Sequence, residues 1–423
     1  MTDNNPQEIG VDGQALVDEY RAYRRFGAYL VLFGFLTLIV GLTVSTLLAP
    51  APLVNDKLGV HLLLDDGRNR WDNALWADHL AYAGQISSEG GIAVQVIRSD
   101  DLDAEHWQTL LDLSVTHQLT PVLRLATTFD QERGWWSAPE RDADGSYQSW
   151  GMRYADFLNA LTWHDDAKHV ILLNEPNNGH EWSGAPDPGA YADFVADVAP
   201  ILREQVEGLV LLNGAFDLHA PDTNGDPFPD SEVAMISADR FMQAMEDAHA
   251  GIFDHFDIWS SHPYPLDFRA HPNEQVYRFD MLNGASPNTG TPPDDVFNRG
   301  INGYAWELWQ LAQLGYDQQW QVMITETGWR HNNPLDLTSA DGGEGYPSPA
   351  QIATYYELAL RGGDGVSFTP WLRDARVIAV APFALNGVPD EWSHSNLVAV
   401  APDGTISATY AHFDALATIA EGE

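Results

Sequence analysis

Polar side chains suited to acid–base chemistry stand directly after apolar, strand-like runs of this sequence. Glu175 follows VILLN, Glu326 follows VMIT, His262 follows DIWSS, and Arg98 ends IAVQVIR. Two carboxyl groups that face each other can cleave a glycosidic bond. One, protonated, donates to the leaving oxygen, and the other, ionised, attacks or stabilises the anomeric carbon. Partial burial raises the pKa of the first, whereas a neighbouring arginine and hydrogen-bond donors keep the pKa of the second low.

These runs belong to a regular alternation of strand-like and helix-like segments. The predicted strands are Leu58–Leu64, Ile92–Arg98, Thr120–Ala126, His169–Asn174, Gly208–Ala215, Phe256–His262, Gln321–Thr325 and Val377–Phe383. The predicted helices are Ala104–His117, Tyr147–Leu161, Pro188–Gln205, Ala238–Ala250, Gly303–Leu314 and Ser348–Arg361. Strands that alternate with helices of this length indicate βαβ units and a parallel sheet.

Eight such units predict an α/β fold, a (β/α)8 TIM barrel over residues 55–423, rather than an open doubly wound sheet. No Gly-x-Gly-x-x-Gly follows the first strand, so a dinucleotide-binding fold loses its main support. The carboxyl ends of all barrel strands open on one mouth, where catalytic residues lie. A typical barrel has about 250 residues, so the loops at this mouth must hold insertions. The candidates are Phe129–Ser146, Ala220–Ser231, Asp267–Arg299 and His331–Pro347.

Three segments resemble the strand signatures of the clan A glycoside hydrolases, which are retaining (β/α)8-barrel enzymes that include the family 5 cellulases. VILLNEPNNGHEW resembles their fourth strand, SSHPYP their sixth and VMITETGW their seventh. One tripeptide such as Asn-Glu-Pro is weak by itself, but the ordered set on successive strand ends is specific. The resemblance implies that Glu175 is the general acid/base and that Glu326 is the nucleophile.

The resemblance also implies roles for the neighbouring polar residues. Asn174 would bind the 2-hydroxyl of the sugar that is cleaved, Tyr264 and Arg98 would orient and ionise Glu326, and His262 would lie near the acid/base. Taken by themselves, Arg98 also fits an ion-pair partner inside the barrel and His262 a hydrogen-bonded core histidine.

The family pattern is incomplete in two places. Some clan members have a histidine at the end of strand 3, where this chain has Arg124-Leu125-Ala126-Thr127. The tryptophan that floors the sugar site after strand 8 has no direct match, and Trp392, about nine residues further on, is the preferred candidate. Because of these departures, two points stay open: which family of the clan the chain resembles, and which sugar is the substrate.

Other tryptophans are candidates for sugar subsites, because flat apolar rings suit the CH-rich faces of sugars. Trp182 and Trp329 follow the two glutamate segments closely and are predicted to contact ligand; Trp135, Trp136 and Trp150 more often represent ordinary packing.

No metal and no cofactor is expected. His61 lacks the His-x-His partner of metal-dependent barrel hydrolases. The stretch from Asp222 to Asp226 begins like a calcium loop, but Pro227 stands where the turn glycine is needed, so we interpret it as an acidic turn.

The N-terminal region predicts a single membrane anchor. Residues 27–54 carry no charge, and about 20 apolar residues suffice to cross a bilayer. Arg21, Arg24 and Arg25 precede the span and only Lys57 follows it. By the positive-inside rule, residues 1–26 form a short cytoplasmic tail and the barrel lies outside the cell membrane.

The charge of the chain narrows its partners. With 61 acidic against 21 basic residues, the net charge is −40, which repels nucleic acid and anionic lipid. Cysteine is absent, which excludes a disulfide scaffold, a zinc–thiolate site and a cysteine nucleophile. An uncharged carbohydrate substrate would not be repelled.

Together these features predict a membrane-anchored retaining glycoside hydrolase that acts on an oligo- or polysaccharide, with β-linkages favoured. Two alternatives stay open: a transglycosylase of the cell envelope with the same residues, and a barrel that binds glycan without cleaving it.

Overall fold

The computed structural model describes residues 57–68, 70–223, 233–272, 299–332, 345–366 and 368–422. Eight parallel strands lie at its centre. They are β1 (Val60–His61), β2 (Ile92–Arg98), β3 (Thr120–Ala126), β4 (Lys168–Leu172), β5 (Leu209–Leu212), β6 (Trp259–Ser261), β7 (Val322–Thr327) and β8 (Val377–Pro382). Six of the eight predicted strands contain one of them, whereas β4 begins one residue before its predicted strand and β7 ends two residues after its own.

The strands close into a ring. β1 to β5 pair in chain order within one sheet, and β6 to β8 pair within another. Parallel bridges join the two sheets at both edges, one between Leu58 and Val380 and one between Leu212 and Ile258. The predicted TIM barrel is therefore confirmed.

A helix follows every strand. The helices are α1 (Asn73–Ile86), α2 (Ala104–Thr116), α3 (Gln148–Ala160), α4 (Pro188–Gln205), α5 (Ala238–Ala248), α6 (Gly303–Gln313), α7 (Pro349–Arg361) and α8 (Ala411–Ala420). Six of them match predicted helices to within two residues at either end, while α1 and α8 were not predicted.

Period-two alternation divides the apolar residues between two cores. Inward-facing side chains fill the barrel. They come from β2 to β5, from β7 and β8, and from the residue directly before β6: Ile92, Val94, Val122, Ile171, Leu212, Ile258, Met323, Ala379 and Ala381. A larger cluster, which includes Ala93, Leu123 and Leu172, packs the outside of the strands against the helices. Because both faces are buried, the strands are apolar almost throughout.

β1 is shorter than predicted because the backbone N–H groups of Leu63 and Leu64 donate hydrogen bonds to side chains and not to the backbone of a neighbouring strand. Leu63 N–H donates to Asn386 Oδ1 at 2.8 Å, and Leu64 N–H donates to Gln95 Oε1 at 3.0 Å. The segment stays extended but leaves the regular ladder.

Part of the predicted loop insertions is described. The predicted insertion after β3 forms a small hairpin of Phe129–Asp130 with Trp135–Trp136. A second hairpin, outside the predicted insertions, follows β8 and pairs Val398–Val400 with Ile406–Thr409. Much of the other three insertions, at 224–232, 273–298 and 333–344, lies outside the described residues.

The predicted tail (1–26) and anchor (27–54) also lie outside the described residues. Within the described ranges, every helix is too short or too polar to cross a bilayer.

Candidate active site

Glu326 lies at the mouth of the barrel, next to last in β7, and is 7% exposed. The guanidinium of Arg124, on β3, donates to its Oε1. The hydroxyl of Tyr264 donates to its Oε2 at 3.1 Å, and His61 Nε2, from β1, lies 3.3 Å from Oε1. Three strands or strand ends therefore direct polar groups at one carboxyl.

This environment keeps Glu326 ionised. Burial by itself would raise the pKa of the carboxyl, but the positive charges of His262 and Arg124 outweigh it and hold the pKa well below its usual range. A buried carboxylate with such partners is suited to act as a nucleophile or to stabilise positive charge.

Glu175 lies opposite, just after β4. Leu173 and Glu175 both have positive φ, 64° and 31°, and Glu175 N–H donates to Gly214 O at 2.7 Å. Residues with a side chain seldom adopt this conformation, and in folded proteins such positions cluster at functional sites. Burial raises the pKa of Glu175, although the hydrogen bond from His262 opposes the rise. The carboxyl is thus suited to hold a proton.

His262 lies between the two carboxyl groups, one residue after β6. Its Nδ1 is 2.8 Å from Glu175 Oε1 and 3.8 Å from Glu326 Oε2. Its Nε2 is 3.1 Å from the hydroxyl of Thr325, and that hydroxyl forms a hydrogen bond with the hydroxyl of Ser260. Burial would lower the pKa of the imidazole, but the two carboxylates prevail and raise it.

The two carboxyl groups converge. One oxygen of Glu175, one oxygen of Glu326 and one ring nitrogen of His262 all lie within 4.8 Å of one another. Carboxyl groups in inverting glycosidases are about 6.5–9.5 Å apart, and in retaining enzymes about 5–5.5 Å. The two carboxyl groups are thus close enough to act on the same bond.

Two groups of side chains in the described residues have donors close enough to share a metal ion. One is Glu175, His262 and Glu326, and the other is Asp65, Asp101 and His106. Arginines already supply positive charge to both: Arg124 contacts Glu326, and Arg70 lies 3.6 Å from Asp65 and 3.4 Å from Asp101.

The prediction that Arg98 orients Glu326 is wrong. Arg98 pairs instead with Asp65 at 3.4 Å and with Asp100 at 3.3 Å. Arg124 takes the predicted role, and its Nη1 also donates to Asn174 Oδ1 at 2.8 Å. Arg124 therefore ties the residue before Glu175 to Glu326.

Period two contains a signal that would have found Arg124. Val122 faces the barrel interior, so Arg124, two residues further along β3, faces the same way, towards the mouth. An arginine at an inward position of a buried strand needs a carboxylate partner. His61, considered only as a metal ligand, faces Glu326 as well.

The structure places the candidate subsite tryptophans in different settings. Trp182 is 4% exposed and packs against Tyr191, and Trp329 is 2% exposed and packs against Tyr356. Both belong to the outer core, so the prediction that they present a face to ligand is wrong.

Trp392 and Trp136 lie at the mouth. Trp392 is half-buried and packs with Tyr264 against a small cluster that includes Phe383, at the end of β8. Trp136 lines a pocket together with Arg124 and Asn174. Trp135 belongs to the same hairpin as Trp136, whereas Trp150 packs on α3 against Tyr154 and Phe194.

A third carboxyl group at the mouth was not predicted. Glu181 lines the same pocket as Arg124, Asn174 and Trp136. Its position six residues after Glu175, in the segment GHEW, was the available signal, because that segment continues the loop that leaves β4.

No protein-family model matches the chain, and no curated protein matches it. Among solved structures, one of two fungal beta-1,4-galactanases has 11% identity and a TM-score of 0.49, over 86% of this chain and 99% of that one. The GH1 beta-glucosidase from Exiguobacterium antarcticum B7 has 11% identity and a TM-score of 0.49, over 88% and 98%. The beta-glucosidase from Trichoderma harzianum has 11% identity and a TM-score of 0.47, over 88% and 98%. At these values the functional proposal depends on the geometry of the mouth.

Proposed function

We propose that this protein is a retaining glycoside hydrolase that cleaves O-glycosidic, preferentially β-linked, bonds. The observation that carries the proposal is the approach of Glu175 and Glu326 at one barrel mouth, with the pKa of the first raised and that of the second lowered. Two carboxyl groups whose environments separate their pKa values in this way divide into an acid and a nucleophile.

The mechanism follows from those protonation states. Glu326 attacks the anomeric carbon and forms a glycosyl–enzyme ester while Glu175 transfers its proton to the leaving oxygen. Glu175, now ionised, removes a proton from water, which attacks the anomeric carbon and releases Glu326. Two inversions at that carbon give net retention.

The surrounding residues hold the pair in position. Arg124 and Tyr264 each donate a hydrogen bond to one of the two oxygens of Glu326 and so fix the orientation of its carboxylate. His262 donates to Glu175 and keeps the rise in its pKa within bounds. Asn174, held by Arg124, lies where it can bind a hydroxyl group next to the reacting carbon.

The test compares Glu175→Gln and Glu326→Gln with the unchanged protein on an array of β-linked oligosaccharides. We expect Glu326→Gln to abolish turnover and Glu175→Gln to lower kcat by about 10²–10⁴-fold, since a general acid contributes that much. An aryl glycoside with a good leaving group needs little protonation, so Glu175→Gln should still release the aryl group from it in a rapid first turnover.

The stereochemistry of the first product decides the mechanism. Proton NMR of fresh product should show the β-anomer from a β-linked substrate. Release of the α-anomer would contradict the proposal. Transfer to an added sugar acceptor would identify the transglycosylase, and binding without turnover would identify the glycan-binding barrel.

We also propose that residues 27–54 anchor the enzyme in the cell membrane with the barrel outside. The uncharged run and the three arginines before it support this arrangement. The full chain should remain in the membrane fraction after an alkaline carbonate wash, and protease added to intact cells should cut the barrel. A chain recovered in the carbonate supernatant would contradict the proposal.

A further inference from the structure

The carboxyl group of Glu181 stands at the mouth without a protein partner. Glu181 is half-buried and ends a 3-10 turn, Gly179–Glu181, behind β4. Among the described residues its carboxyl makes no hydrogen bond and no ion pair, although its backbone N–H donates to Asn178 O. A polar group that lines a pocket and forms no hydrogen bond with the protein is available to bind a ligand.

The pocket that Glu181 lines is continuous with the catalytic residues. It is also lined by Arg124 and Asn174. Arg124 lines this pocket and donates to Glu326, so the pocket adjoins the proposed nucleophile. Val96, Leu173 and Trp136 supply apolar walls.

Backbone contacts hold Glu181 in place. The side chain of Asn178 accepts the N–H of His180 at 3.0 Å, at the start of the turn. A Cβ on Gly179 would lie 2.4 Å from Gly184 O, so the chain approaches too closely there for any other residue. Ser183 N–H donates to Trp136 O at 2.8 Å, which ties the turn to the hairpin after β3.

Burial favours the neutral form of Glu181. Burial, and the neighbouring carboxyl groups of Glu175 and Glu326, raise the pKa of Glu181 to about 8, while Arg124 and Arg68 oppose the rise. At neutral pH the group is therefore a carboxylic acid with one donor and one acceptor. A pair of adjacent sugar hydroxyls offers the matching acceptor and donor.

We propose that Glu181 is a specificity-determining residue that both donates to and accepts from adjacent hydroxyl groups of the bound sugar, so that this pocket selects a sugar with two neighbouring hydroxyl groups. The inference rests on the proposed function for the placement of the sugar. It assigns a substrate class, a neutral and hydroxyl-rich glycan, to a pocket adjoining the nucleophile.

The test uses Glu181→Gln, which keeps a donor and an acceptor, and Glu181→Met, which removes both. We expect Glu181→Gln to keep KM for cello-, manno- and galacto-tetraose within about 3-fold. Glu181→Met should raise KM by about 5- to 10-fold for each hydrogen bond lost, with little change in kcat. Glu204→Met, an exposed glutamate on α4, is the matched control and should change neither constant.

The pH dependence of KM is a second measurement, and a purely structural role of Glu181 would not produce the expected change. The KM of the unchanged protein should rise above about pH 8, where Glu181 ionises, and that of Glu181→Gln should not. Glu175, Glu326, Arg124 and Arg68 face the same group, and all four remain in both proteins.

Three results overturn the inference. If Glu181→Gln loses as much as Glu181→Met while chitosan tetramer binds more tightly than the neutral probes, the residue binds an ammonium group. If neither variant changes KM, Glu181 does not touch the sugar. If no neutral probe binds, the pocket does not hold a neutral sugar.

Calorimetry in a Glu326→Gln background separates this inference from the proposed function. There the affinity for the tetraoses is measured without turnover, with and without the Glu181 substitutions. If sugar binding in this background depends on Glu181 but the unchanged protein hydrolyses no substrate, the proposed function is contradicted and the inference stays intact.

Discussion

Arg124 joins the two sides of the proposed reaction centre with one guanidinium. It donates to Glu326 on β7 and to Asn174 beside Glu175, and it is itself 7% exposed. A buried arginine in this position both orients a carboxylate and stabilises its charge. Its effect on activity should therefore appear as a change in protonation as well as in geometry.

The change Arg124→Met removes one of the cations that lower the pKa of Glu326. Glu326 must be ionised to attack, so a higher pKa moves the acidic limb of the kcat/KM profile to higher pH. We expect the acidic limb to move by about one pH unit, and the lost orientation of Glu326 to lower kcat/KM by about 10- to 100-fold above that limb.

Arg98→Met is the matched control for this change. Arg98 pairs with Asp65 and Asp100, so the acidic limb should stay in place. An equal shift in both variants would show that the arginines act through the general field of the barrel and not through contact with Glu326.

At the scale of single elements, the turn after β4 has the tightest backbone approach near the site. Gly179→Ala would set a Cβ 2.4 Å from Gly184 O and 2.5 Å from Ala234 O, both backbone atoms. We expect at least a 10-fold fall in kcat/KM, because the displaced turn carries Glu181, together with a melting temperature lower by a few degrees. Gly189→Ala, where the nearest atom is the Asp187 carboxylate at 3.5 Å, should leave both unchanged.

Buried neutral histidines lie where α1 and α8 meet the loops next to them. His412, on α8, and His331, after β7, both bond Asn396 O, at 3.1 and 3.0 Å, and His79, on α1, bonds Gly404 O at 2.8 Å. Burial lowers the pKa of all three, that of His412 to about 3. Their protonation in the folded state is therefore unfavourable.

These histidines should make the fold sensitive to acid below pH 6.5. The unfolded chain binds protons at its histidines near pH 6.5, above the folded pKa values, so stability is complete above that pH and falls as the pH drops. We expect the melting temperature to fall between pH 6.5 and 4.5, and to fall less in His412→Gln. His164→Gln, at an exposed site, should match the unchanged protein; an identical fall in His412→Gln would contradict the assignment.

At the scale of the whole molecule, the net charge of −40 acts on the approach of substrate. A neutral sugar has no net charge for this field to act on, whereas a polyuronate is repelled until salt screens the repulsion, with a Debye length of about 10 Å at 0.1 M. KM for a neutral tetraose should vary less than about 2-fold between low and high salt. A steep salt dependence with the neutral sugar would contradict this view.

The order of most strands and helices could be predicted from the sequence, because the period-two and helical patterns of apolar residues depend only on neighbouring residues. It did not reveal α1 and α8. The hairpin strand Ile406–Thr409, directly before α8, also lay outside the prediction. The placement of Glu175 and Glu326 at one mouth followed as well, since parallel strands in a closed barrel end on the same side.

Only the tertiary structure decided which side chains meet there. Arg98 lies on β2 and Arg124 lies on β3, both near the mouth, yet only Arg124 reaches Glu326. Contact across a barrel depends on the stagger and the inward alternation of strands that are distant in the chain. Trp182 and Trp329 lie in segments that follow strands, and they pack into the outer core. The sequence by itself determined the barrel and its two carboxylates; the register of strands far apart in the chain determined their partners.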